Sequence, residues 1–161
     1  MAAEAAPVLI AYDGSELSKA AVRHAAEIFP GRPTLLATVW EPGLAMMPVG
    51  TPDAMGAGMM MPPNPEETQA VDRLQREHAS RIAAEGAQLA RSLGLAAEAH
   101  AVPDEVDVAD TLIDLSRERG AVVIVVGSHG VSGLRSRVVG SVARKLISHS
   151  ERPVLVTRGE S

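Results

Sequence analysis

The chain has 161 residues, with 20 acidic against 15 basic side chains, a formal net charge of −5 and 46% apolar residues. That length suits one domain spanning 1–161, and a chain of this size buries roughly two-thirds of its extended surface, enough for a core without staples. The lack of cysteine excludes disulfides, thiolate metal sites and cysteine nucleophiles, and three aromatics (Tyr12, Phe29, Trp40) are too few for a single-strand stacking platform.

Val8-Leu9-Ile10-Ala11-Tyr12, closed by Asp13-Gly14-Ser15, reads as a buried strand and a turn. Ser15 or Asp13 can cap the next helix, in which Leu17, Ala20, Ala21, His24, Ala25 and Ile28 recur at helical spacing until Pro30-Gly31. Thr34–Trp40 is a second apolar strand. Residues 42–65 then hold six prolines, four glycines and six methionines, a composition that suits neither helix nor sheet and predicts a long surface excursion. Glu66–Leu93 predicts an amphipathic helix with Val71, Leu74, His78, Ile82, Leu89 and Leu93 near one face, ended by Gly94.

Leu95–Val102 predicts a weak edge strand, and Asp107 can cap a helix running to Arg119. Ala121–Val126 is continuous and β-branched, so it reads as a strand buried on both faces. A glycine-studded loop, Gly127–Gly140, leads to a helix at Ser141–Ser150 and a fifth strand at Pro153–Thr157. Strands alternating with helices imply parallel pairing through right-handed crossovers, hence a doubly wound α/β fold.

Charge is uneven. Residues 1–126 carry 9 basic and 18 acidic side chains, whereas 127–161 carry 6 basic and 2 acidic. Such a chain repels nucleic acid overall yet can hold a small anion at one end. No apolar run approaches the roughly 18 residues that span a bilayer, and MAAEAAP lacks the basic start and apolar stretch of a secretory signal. A cytoplasmic protein without membrane contact is expected.

The chemistry concentrates in the loop after the fourth strand. Gly127, Gly130, Gly133 and Gly140 permit a ligand to approach the main chain, and Ser141 opens a helix whose N–H groups and dipole favour an anion. Asp13 ends the first strand. If the first and fourth strands are adjacent where the strand order reverses, Asp13 faces this loop across the ligand-binding crevice, where an acidic residue suits a ribose hydroxyl. The pattern points to a nucleotide, with phosphates near Gly130–Ser141.

Ile10-Ala11-Tyr12-Asp13-Gly14-Ser15 together with Gly127-x2-Gly130-x9-Gly140-Ser141 resembles the universal stress protein family in its ATP-binding branch, as does Pro153-Val154-Leu155-Val156 at the last strand. The resemblance covers about residues 7–158 and implies a sheet of order 3-2-1-4-5, ATP held with Mg²⁺ mainly through the phosphates, and a homodimer through strand five (Val154–Thr157). Carried over by that resemblance, Asp13 contacts the ribose, Ala11 and Val39 line the adenine pocket, Gly127 approaches the ribose and α-phosphate, and Gly130, Gly140, Ser141 and Val142 meet the phosphates. Two departures stand out. Trp40 replaces a smaller residue beside Val39, where it can crowd the pocket or stack on the base, and Pro103–Asp107 is more acidic than the family's turn.

The expected function is an ATP-binding stress protein acting as a nucleotide-dependent regulatory module. The chain lacks a Walker-type loop and an evident general base, so any ATP hydrolysis or phosphotransfer is expected to be slow. Val126-Gly127-Ser128-His129-Gly130 resembles a nucleophile elbow but lacks its first glycine, and His149 precedes Glu151, the wrong order for that hydrolase fold. The alternatives are that slow enzyme, or a nucleotide-free dimeric interaction module. His24 and His78 are expected in or near the core, His129 can reach a phosphate, and the methionines of 46–61 read as a tolerant tether rather than a soft-metal site.

Overall fold

The computed structural model describes residues 5–43, 64–104, 106–129 and 139–159. Five strands, β1 (Val8–Ala11), β2 (Pro33–Trp40), β3 (Ala96–Pro103), β4 (Val123–Gly127) and β5 (Val154–Thr157), alternate with four helices, α1 (Glu16–Ile28), α2 (Pro65–Ser92), α3 (Val108–Glu118) and α4 (Ser141–His149). The strands form one parallel sheet of order β3-β2-β1-β4-β5. The doubly wound α/β reading therefore holds, including the strand order.

Strand alternation divides the core into two layers. Val8, Ile10, Leu36, Val123 and Val125 project to one face with Val22 of α1 and Ala87 and Ala90 of α2. Leu9, Leu35, Ala37, Ile124 and Val126 project to the other with Leu112 of α3 and Leu146 of α4. β1 and β4 are sandwiched on both faces, which is why their sequences are unbroken apolar runs rather than alternating ones. β5 is an edge strand whose outer side is unpaired among the described residues.

The expected face of α2 needs correction. Ala79, Ala83, Gly86, Ala87 and Ala90 are its buried residues, while Leu74 and Leu93 are exposed and His78 is exposed rather than core-facing. Small side chains at helical spacing let the helix axis approach the sheet, so the contact face is marked by size rather than hydrophobicity. Gly86 is the extreme case, because a Cβ there would lie 2.7 Å from Cδ1 of Tyr12. On α1, Ile28 is exposed, whereas His24 is half-buried with its Nδ1 at 3.1 Å from the Ala20 carbonyl.

Pro65 also belongs to α2 rather than to the preceding excursion. It takes the first helical position after Asn64, whose side chain accepts the Glu66 N–H, a place where a missing N–H costs nothing. The remainder of the Met- and Pro-rich stretch, 44–63, lies outside the described residues.

Candidate functional site

β1 is flanked by β2, which continues outward to β3, and by β4, which continues outward to β5. The strand order reverses between β1 and β4, and beyond the carboxyl ends of strands at such a point an open α/β sheet leaves a crevice. A cavity of about 510 Å³ occupies it, within the 300–1,000 Å³ common for small-molecule sites.

Of the eight residues singled out in the sequence, Ala11, Asp13, Val39, Gly127, Gly140, Ser141 and Val142 line this one cavity. Gly130 lies outside the described residues. Ala11 and Val39 share a sheet face with Ala37 and Val126 and pack against the α3–α4 layer, giving an apolar floor. Trp40, one residue on from Val39, is not among the lining residues. Strand alternation turns it to the opposite face, so it neither plugs this pocket nor stacks in it, and its indole Nε1 is buried without a partner among the described residues.

Ser15 caps α1, with Oγ accepting from Ser18 N–H at 3.2 Å. Asp13 makes the turn before it, one carboxylate oxygen accepting from Ser15 N–H at 2.9 Å, and Gly14 takes φ +80°. The second carboxylate oxygen of Asp13 has no partner among the described residues, and the side chain sits on the cavity wall. Tyr12, just before this turn, is buried, and that burial is the main reason its phenol is pushed above its ordinary pKa.

The opposite rim is the start of α4. Each of the other helices has an acidic residue in its first turn and a side-chain cap: Glu16 and Ser15, Glu66 and Asn64, Asp110 and Asp107. α4 has neither, and its N-cap is Gly140. Its first-turn N–H groups, at Ser141, Val142 and Ala143, are the orphan donors that any helix start leaves, and all three residues line the cavity.

The glycines do more than open space for a ligand. A Cβ on Gly127 would stand 3.2 Å from Leu17 Cβ, so that glycine lets the end of β4 close on α1. Gly140 donates its N–H to the Ser128 carbonyl at 2.6 Å, and a Cβ there would lie 3.1 Å from the same oxygen. Its amide is therefore spent in seating the helix, and the donors without a partner among the described residues begin at Ser141. His129 lines the cavity with Nδ1 3.0 Å from Ser128 Oγ, while Nε2 is buried without a partner among the described residues.

Sequence reasoning did not single out Val108 and Leu112 of α3, which form a side wall, or Arg144 of α4. Arg144 was findable, since it lies four residues after Gly140 on the same helix face. The α3 wall was not, because only the tertiary fold brings that helix over the crevice.

A family model described as the universal stress protein family matches residues 5–158. The chain belongs to the universal stress protein family. Universal stress protein YxiE of Bacillus subtilis is 42% identical over 50 residues, covering 31% of this chain and 34% of that protein. Universal stress protein MJ0577 of Methanocaldococcus jannaschii is 33% identical over 49 residues, 30% of each chain, so the matched stretch spans about a third of the length of these curated relatives. In three dimensions the likeness runs the whole length. The MJ0577 structure covers 99% of both chains at 18% identity with a TM-score of 0.73. The universal stress protein from Archaeoglobus fulgidus, solved in complex with dAMP, covers 96% of this chain and 98% of its own at 23% identity with a TM-score of 0.61.

Within this universal stress protein, the acidic turn before α3 has a structural use. Asp107 caps α3 by accepting from Asp110 N–H at 2.9 Å. Lys145 of α4 reaches the other oxygen of Asp107 and also Asp110, the latter at 2.7 Å. The hydrogen bond from Lys145, then that from the Asp110 N–H, hold the Asp107 carboxyl below its usual range, and the two carboxylates, Asp107 first, hold Lys145 above its own. This clamp joins the two helices that wall the cavity.

Proposed function

We propose that this universal stress protein binds an adenine nucleotide, ATP in its working form, in the cavity between β1 and β4, and that occupancy governs its contacts as a stress-response module in the cytoplasm. The observation that carries this reading is the meeting of three elements in one cavity: an apolar floor at Ala11 and Val39, a carboxylate at Asp13 with one oxygen unpartnered among the described residues, and the start of α4, which has no side-chain cap among them. A base on the floor, a ribose hydroxyl at Asp13 and phosphate at the Ser141–Ala143 amides use each element for the chemistry it suits. Gly127 and Gly130 take the sugar and phosphate side, as the resemblance implies, and the complex of the Archaeoglobus fulgidus relative with dAMP supports the ligand class.

Mg²⁺ fits as a partner of the phosphates rather than a resident of the protein. Asp13 is the only carboxylate among the described lining residues, and a cation that keeps most of its waters needs no more than one or two protein carboxylates beside the phosphates. The charge it supplies is neutralisation of the phosphate chain. Among the described lining residues the groups able to take a proton are Asp13, given to the ribose, and His129, whose Nδ1 is engaged with Ser128 Oγ, so neither is a dedicated base for attack on phosphorus and the protein works as a binder with at most slow hydrolysis. The same reading gives it a homodimer through β5, whose outer edge offers unpaired backbone groups and half-buried Val154, Leu155 and Val156.

The test uses a cavity-filling change. Titration calorimetry with ATP and dAMP on wild type and Ala11→Leu is expected to give saturable binding that the leucine abolishes while the protein stays folded. Equal affinity in the two proteins, or no nucleotide bound by wild type, overturns the assignment. Gly140 substitutions are a poorer choice, since the Ser128 carbonyl alone accounts for their damage.

A further inference from the structure

Arg144 lies four residues past the N-cap of α4 and lines the cavity. Its backbone N–H donates to the Gly140 carbonyl at 3.0 Å, and Nη2 reaches back to the Val139 carbonyl, also at 3.0 Å. The guanidinium is thereby folded over the start of its own helix. A cation is disfavoured there, because the helix dipole already places positive charge at that end. α4 has no acidic residue in its first turn to compensate, and Asp13, the only other residue with a full formal charge among the described lining residues, stands on the opposite rim. The guanidinium has one hydrogen bond to a neutral carbonyl and no carboxylate partner among the described residues.

Two positive features converge on one mouth of the cavity. The first, the amides of Ser141–Ala143, is available to any phosphate that enters. The second differs in kind, being an exposed side chain with several remaining N–H donors in a planar fork, a shape that matches phosphate oxygens in pairs. If the amides take the phosphate nearest the sugar, the fork is left for the groups beyond it.

We propose that Arg144 sets the preference of the site for nucleoside di- and triphosphates over monophosphates. The proposal rests on the nucleotide reading above and adds its specificity. Each further phosphoryl group brings negative charge to a rim that is short of it, and the guanidinium recognises that charge at the end of the chain remote from the base. The residue is not part of the glycine pattern that marks the loop, so it can vary while the cradle stays the same.

The experiment measures dissociation constants for adenosine, AMP, ADP and ATP at fixed ionic strength with a chelator present, in wild type, Arg144→Met and Arg144→Lys. Wild type is expected to bind more tightly from AMP to ATP. In Arg144→Met, ATP binding falls by about 10- to 100-fold, the range of a charge-assisted hydrogen bond, while AMP and adenosine change by no more than about twofold, since they do not engage the fork. Arg144→Lys keeps the charge without the fork and recovers part of the ATP affinity. A purely structural role through the Val139 contact would weaken all four ligands alike and lower the melting temperature, and that result overturns the proposal. So does a wild type that binds adenine nucleotides with no chain-length preference, which leaves the nucleotide reading intact. A wild type that binds none of the phosphorylated ligands removes both.

Discussion

Replacing Gly86 by alanine sets two known effects against each other at one atom. In a helix interior alanine is favoured over glycine by about 1 kcal/mol, so an α2 free of tertiary constraint gains stability. Against this, the added Cβ would stand 2.7, 2.8 and 2.9 Å from Cδ1, Cγ and Cε1 of Tyr12, distances no real Cβ contact sustains. The ring has little room to yield, since Tyr12 is only 4% exposed and sits in the α1–α2 core layer. Overpacking of this kind costs about 1–3 kcal/mol, so the net effect is a destabilisation of about 0–2 kcal/mol, toward the upper end because three ring atoms are involved. For a chain of this length that is a fall in Tm of up to about 8 °C. Thermal unfolding followed by circular dichroism reads it, and a double-mutant cycle isolates the contact. In a Tyr12→Leu background the alanine should be neutral or stabilising; in Tyr12→Phe, which keeps the ring, the loss should persist. A Gly86→Ala protein that melts above wild type, or an identical shift in the Leu and Phe backgrounds, refutes the close packing of α2 on Tyr12.

The Lys145 clamp predicts a pH signature. Asp107 is shifted below its ordinary carboxyl range, so the clamp's contribution is present above the unfolded carboxyl pKa of about 3.9 and is lost as pH falls through the lowered native value. Lys145 is shifted upward, so at the other extreme the contribution fades only as pH rises through the raised native lysine value, above about 10.4. The Tm gap between wild type and Lys145→Met should therefore be open near neutrality and close in strong acid; a gap constant through the acid range refutes the clamp. At the sheet edge, Val156→Lys should shift a β5-mediated dimer to monomer in sedimentation velocity, and an unchanged mass would remove β5 as the interface. Asp13→Ala should weaken ATP and ribose-containing analogues more than a ligand lacking the 2′- and 3′-hydroxyls, as read by competition; equal losses would deny Asp13 the sugar.

Much of this architecture is written in short-range features. Unbroken apolar runs at Val8–Ala11 and Val123–Val126 announce strands buried on both faces, and the residues ending them, Asp13 and Gly127, mark the crevice because strand order alone decides which ends face each other. Seven sequence-chosen residues meet in one cavity for that reason. What stays hidden depends on distances between elements. The contact face of α2 is legible only once the nearness of Tyr12 is known, since an alanine stripe carries no hydrophobic contrast on a chain rich in alanine. The spacing that singles out Gly140 in the sequence is silent on the Ser128 carbonyl that its amide binds. Trp40 looked able to obstruct the pocket by adjacency to Val39, yet alternation along β2 sends neighbours to opposite faces.

Ser128 has a double allegiance. Its N–H is held by the Thr157 carbonyl on the outermost strand, and its own carbonyl receives the amide of Gly140 at the foot of α4. A single residue thus stitches the rim of the sheet to the helix that fronts the crevice. The outer strand and the pocket's mouth therefore share one hydrogen-bonded seam.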